Sequence, residues 1–247
     1  KPLTLLFWRY WVLALILLAF LILRRRPVWP GTRAALVAML VGVLAHGVWL
    51  GCVFYSLQYG VPAGIVALVV ALQPMTTGAL SGLVTGERTP AIRWAGLLVG
   101  LAGVMVAVLA RTEFSDPSSV FAYLIPFGSV AAITVASLIQ RRLQVRRHAH
   151  RVAGDLGLFY QCLGTALAVT VPAVFLEGLA TEWTPVFAGA MSWLILGVSL
   201  SAYALMWVLI ARMDATRVAS LFYFGPPVTM GMAWAAFGDR LLTTDWI

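Results

Sequence analysis

Arg9 and His46 are ionisable side chains set inside long apolar runs, and Gln73 is a strong hydrogen-bonding group in a third run. Groups of this kind are costly to hold away from water, so each asks for a task. His46 titrates near neutral pH and can both donate and accept hydrogen bonds, which suits a substrate carboxylate or a proton relay. Packing, with a bond to a neighbouring helix, is the plain alternative. The Arg9 guanidinium matches a carboxylate, or snorkels to the interface from its place near the end of its run. Trp49 lies one helical turn beyond His46 and shares its face. Trp193, Tyr203 and Tyr223 also lie deep in apolar runs. A cavity lined by such rings favours flat apolar or cationic ligands, against the alternative of lipid or interhelix packing. Tyr59 and Trp183 stand at run ends, where aromatics mark the headgroup layer. Gln73-Pro74 and Gly225-Pro226-Pro227 interrupt two runs. Proline removes a backbone donor and frees the carbonyl one turn earlier, so Pro74, Pro226 and Pro227 are expected hinges beside a cavity rather than mere packing kinks. The expected binding set is Arg9, His46, Trp49, Gln73, Trp193, Tyr203 and Tyr223. No Asp or Glu occupies the middle of a run, so proton exchange built on a buried carboxylate has no support. Ser81 and His46 make a poor nucleophile pair, because Ala79 stands where a nucleophile elbow has glycine. Cys52 and Cys162 read as small packing residues, and neither metal-ligand spacing nor a cofactor motif is expected.

The elements that must position these groups follow from composition. Apolar residues make up 62% of the chain, charged residues 11%, and the net charge is +8. A soluble domain carries roughly a quarter charged residues, so this chain needs lipid as its solvent. Its arginines fall in short runs between apolar stretches, which argues against a nucleic-acid partner and for membrane loops meeting anionic lipid. A helical span needs about 20 mostly apolar residues. Eight stretches qualify: 5–23, 35–58, 63–85, 92–110, 120–139, 156–176, 186–210 and 218–237. None alternates as a strand would, so an all-α integral membrane fold is expected. The first run is too long for a signal-peptide core and lacks a small-residue cleavage site. Arginines at 24, 25, 26 and 33, at 88 and 93, at 141, 142, 146, 147 and 151, and at 212 and 217 mark alternate loops. Basic loops stay in the cytoplasm, which gives every span a direction. Gly47 and Gly51, like Gly96 and Gly100, have the small-xxx-small spacing of close helix packing, and the fourth run offers a homodimer contact by the same rule.

An offset of 152 residues maps one half of the chain onto the other. Ala63, Val66, Ala67, Pro74, Thr77, Gly86, Arg88 and Trp94 meet Ala215, Val218, Ala219, Pro226, Thr229, Gly238, Arg240 and Trp246. Phe7, Ala14 and Leu15 meet Phe159, Ala166 and Leu167. The Gly86-Glu87-Arg88 turn falls on the cytoplasmic side and Gly238-Asp239-Arg240 on the other, so the halves are expected to be inverted. Inversion needs an odd number of helices per unit. The reading is an inverted repeat of five-helix units, ten helices when complete and about eight visible, with repeats at 1–112 and 118–247. The first repeat then lacks its first helix and the second its last.

The duplicated unit, the Phe7-Trp8-Arg9-Tyr10 opening and the mid-span proline helix ending in Gly-Glu-Arg resemble the drug/metabolite transporter superfamily, EamA type. Ala63 to Arg88 carries most of the likeness and Ala215 to Arg240 repeats it. The resemblance implies a multi-pass carrier of the bacterial inner membrane, with the termini of the full chain cytoplasmic, exporting small organic metabolites by alternating access without a cofactor. A likeness to YddG-like aromatic amino acid exporters makes amino acids the expected cargo. A drug or nucleotide-sugar carrier is the alternative within the superfamily, although a phosphate-bearing cargo would want cavity lysines or arginines beyond those present. An intramembrane enzyme is the remote alternative.

Overall fold

A computed structural model describes residues 1–82, 90–109, 117–145 and 154–202, together with 205, 228, 231, 232, 234 and 235. These residues form helices and connections, with no strand among them. Seven helical rods run in chain order: α1 (Pro2–Leu23), α2 (Thr32–Gln58), α3 (Ala63–Leu80), α4 (Ala91–Leu109), α5 (Pro117–Val145), α6 (Gly154–Glu177) and α7 (Pro185–Ser201). Among the described residues, five helices are long and apolar enough to cross a membrane: α1, α2, α3, the Val120–Leu143 part of α5, and α6. Each rod begins within a few residues of its expected start, because a lipid span leaves little freedom in length. The eighth expected span and the Gly86-Glu87-Arg88 turn lie outside the described residues, apart from isolated positions in the eighth.

Helix α1 lies antiparallel along α6, with Thr4 beside Glu177 at one end and Arg26 facing Asp155 at the other. Leu6, Leu13, Ala14, Leu17 and Leu21 pack with Leu158, Phe159, Cys162, Ala166 and Val169 in the main apolar cluster. Helix α2 crosses α6 very closely. A Cβ on Gly42 would collide with the backbone of Gln161, and one on Gly164 would lie 2.6 Å from the Met39 Cα. Only glycine allows backbones this near, and van der Waals packing is what drives helices together in lipid. Helix α5 lies against α2 and α3, with Ile65, Val66, Val69, Ala122 and Val130 in a second cluster. In α4, Gly96 and Gly100 make room for Met75 of α3, at 3.3 and 3.4 Å from the Cβ each glycine lacks. That pair therefore serves packing within the chain.

Several rods are interrupted. In α3 the helix stops at Val70, one turn ahead of Pro74, and restarts at Gln73. The ring of Pro74 cannot donate to the Val70 carbonyl, and just beyond the break the Leu72 carbonyl accepts from both Thr76 N and Thr76 Oγ1, each at 2.9 Å. The break expected at this proline is thus present. Pro126 sits buried inside α5, and Ser129 donates to its carbonyl. Three π-helical segments were not expected: Val43–Val48 in α2, Ala173–Glu177 in α6 and Trp193–Ser201 in α7. Such segments are rare and gather at functional sites.

Candidate functional site

Two of the π segments, those of α2 and α7, each carry a polar residue of one chain of contacts. Helix α1 supplies Arg9 and Tyr10, the α2 segment His46, α6 Gln161, and the α7 segment Ser199. Arg9 is 6% exposed. Its Nη2 and Nε donate to Ser199 Oγ at 2.8 and 3.3 Å, and that hydroxyl donates to the Leu194 carbonyl at 3.0 Å. The guanidinium carbon also lies 5.6 Å from the Tyr10 ring centroid. The snorkelling alternative for Arg9 is therefore corrected: its side chain reaches across to α7 because that helix face is packed by protein. A guanidinium has five N–H donors, and among the described residues its hydrogen bonds go to Ser199 alone. Donor capacity for an anionic group remains.

On the other contact of Tyr10, the His46 ring stacks at 5.5 Å between centroids and 28° between planes. His46 Nε2 lies 3.2 Å from Gln161 Oε1, which fits the tautomer with its proton on Nε2. The Gly42 crossing places Gln161 there, since it brings α2 and α6 together one turn before His46. Trp49 is half-buried, and its buried Nε1 has no acceptor among the described residues. An unmatched donor costs about 1–3 kcal/mol, which a ligand carbonyl or carboxylate would recover.

The other expected residues are placed differently. Gln73 is half-buried and donates to Thr77 of its own helix at 3.3 Å. Trp193 is 65% exposed, with its ring close to Gly197, and lies apart from the Arg9–His46 group. Tyr203, Tyr223, Pro226 and Pro227 lie outside the described residues. Asp155 faces Arg26 at 3.8 Å.

Sequence reasoning missed Glu177. This carboxylate ends α6 because Gly178 follows in the left-handed conformation at φ 78°, where its N–H bonds back to Ala173 and Val174. Glu177 Oε2 accepts from Thr4 N and Thr4 Oγ1, both at 2.8 Å, and Oε1 from Leu3 N and Tyr55 Oη, both at 3.1 Å. Its carbonyl accepts from Lys1 Nζ at 2.6 Å. A carboxylate at a helix N-terminus meets the free amides and the positive dipole end. The only sequence signal was an acid closing an apolar run just before glycine, which looks the same as a solvated loop residue. Around it, Trp8 Nε1 donates to Thr181 Oγ1 and Trp11 Nε1 to Thr170 Oγ1, each at 3.0 Å. Trp8, Trp183 and Phe187 meet edge to face at 5.2 and 5.4 Å. Trp183 and Tyr59, read as headgroup-level rings, are 58% and 61% exposed.

Comparison with known proteins shows what this chain is similar to. Residues 1–109 match the EamA-like transporter family. The uncharacterized inner membrane transporter YedA of Escherichia coli strain K12 is 28% identical over 97% of this chain and 75% of its own length. The pseudopaline exporter CntI of Pseudomonas aeruginosa is 26% identical over 90% of this chain and 74% of its own. A probable amino-acid metabolite efflux pump of Salmonella typhimurium is 21% identical over 76% of this chain and 64% of its own. The chain is thus similar to EamA-like transporters over residues 1–109 and, over most of its length, to proteins named as transporters or exporters. A solved crystal structure shares the fold with a TM-score of 0.66 at 22% identity, over 99% of this chain and 82% of that one.

Proposed function

We propose that this chain is a secondary carrier that exports small organic metabolites, aromatic or neutral amino acids foremost, across the inner membrane by alternating access. The observation that carries the reading is the buried Arg9–Tyr10–His46 group, tied to Ser199 and Gln161. A guanidinium with donors to spare meets a carboxylate, while the imidazole and the unmatched Trp49 N–H bind polar atoms beside it. The printed name of the Salmonella relative supports an amino-acid cargo, and the exporter and efflux names support an outward direction.

The motion belongs to two five-helix repeats, 1–112 and 118–247, set head to tail. The antiparallel course of α1 and α6, which are equivalent under the 152-residue offset, supports that inversion. The arginine-rich loops support a cytoplasmic Arg24–Arg26 end, and with it cytoplasmic termini of the full chain. The break at Pro74 serves as a hinge, as do Pro226 and Pro227 in the second repeat. Purified protein in liposomes should take up labelled phenylalanine saturably, and Arg9→Gln or His46→Ala should lower that flux by about tenfold, the loss of about 1.4 kcal/mol of binding. Absence of flux for every amino acid would remove the cargo, and unchanged flux in both variants would remove the site.

A further inference from the structure

We infer that Glu177 is the latch of the outer gate, closed in this structure. The inference rests on the carrier reading above, because a gate has meaning only if the two halves part. Bonds joining α6 and its following loop to α1 and α2 gather at the end remote from the arginine loops. Leu3 and Thr4 of α1 and Tyr55 of α2 converge on the one carboxylate, and Lys1 holds the carbonyl of the same residue. In the repeat scheme the donors belong to the first half and Glu177 to the second. Opening this end must break all of these contacts together, and closing it must remake them.

Position along the helix fits a gate. Arg9 lies five residues beyond Thr4 on α1, about 7 Å deeper at 1.5 Å per residue. The clasp therefore stands between the Arg9–His46 group and the outer surface. Its chemistry is reversible. Every donor and the carboxylate itself can be taken over by water at the membrane surface, so release exposes no polar group to lipid. An apolar plug at the same depth would lack that exchange.

The test reads accessibility and needs no substrate. A reporter cysteine at Ser199→Cys is labelled with a membrane-impermeant maleimide added to the outer face, and the chain without the reporter gives the background from Cys52 and Cys162. Glu177→Ala should raise the outer labelling rate by about tenfold, as a shift of the open population requires. Thr4→Val and Tyr55→Phe, which each remove one bond and keep the helix, should raise it by about two- to threefold, and they carry the test if Glu177→Ala does not fold. Equal labelling rates in all folded variants would overturn the latch. Faster labelling, with no amino-acid flux in the chain that keeps Ser199, would keep the latch and remove the cargo, whereas flux in that chain with unaltered labelling of the reporter would keep the carrier and remove the latch.

Discussion

At one end of the α1–α6 pair a single carboxylate collects four donors from two other helices. At the opposite end, Arg26 meets Asp155 at 3.8 Å with the arginine side chain 55% exposed, and Tyr160 donates to the Val28 carbonyl at 2.9 Å. Both ends join the same two helices, and both use a charge. The difference lies in what the charge meets. Glu177 is received by directed donors, three in the α1 N-terminus and the fourth the Tyr55 hydroxyl, and at this partly exposed carboxylate their joint net worth is about 1.5–3 kcal/mol. The Arg26 pair is a long contact in a wet loop, and such pairs contribute about 0–1 kcal/mol. A membrane helix pair can thus be stitched tightly at one end and loosely at the other with similar residue types.

Four replacements probe that contrast. The largest loss is expected for Gly42→Ala, which pushes the α2 backbone away from Gln161 at the crossing between the two ends. Thermal unfolding in detergent should show a cost of about 3 kcal/mol, at the top of the overpacking range. Glu177→Ala should follow at about 2 kcal/mol. Trp8→Phe, which keeps the ring and removes the bond to Thr181, should cost about 1 kcal/mol. Arg26→Ala should fall below about 0.5 kcal/mol and diminish further in salt. If Arg26→Ala and Glu177→Ala lower the melting temperature equally, the two ends do not differ in energy. A salt-sensitive Glu177 contribution would place its carboxylate in bulk solvent after all.

Much of the scaffold was legible because lipid imposes a strict condition on length and polarity. The starts of α1 to α7 follow from that condition, and the break before Pro74 from the missing donor of its ring. Arg9 and His46 were legible for the same reason, since a charge in an apolar run is conspicuous. Their partners were not. Gln161 and Ser199 are neutral polar residues of a kind that helices carry for many reasons, and only the crossing of α2 with α6 and the approach of α7 give them a role. Arg9 was read one way too many, because sequence alone cannot say whether a helix face meets lipid or protein. Glu177 was hidden by its place at a run end. Trp193 shows the opposite error of emphasis, since depth along a helix says nothing of which way a ring faces.

The π segment at Val43–Val48 has a bearing on how α2 should be drawn. A widened turn accommodates one residue more than a regular turn, so everything after it is rotated by about 100° relative to an uninterrupted wheel. Removing a single residue there would leave an unbroken α-helix of good composition. The half from Thr32 would keep its seat on α6, while Trp49 and Tyr55 would swing to another azimuth. The spare residue acts as a phase shifter, letting one rod show α6 one face below and Glu177 a different face above.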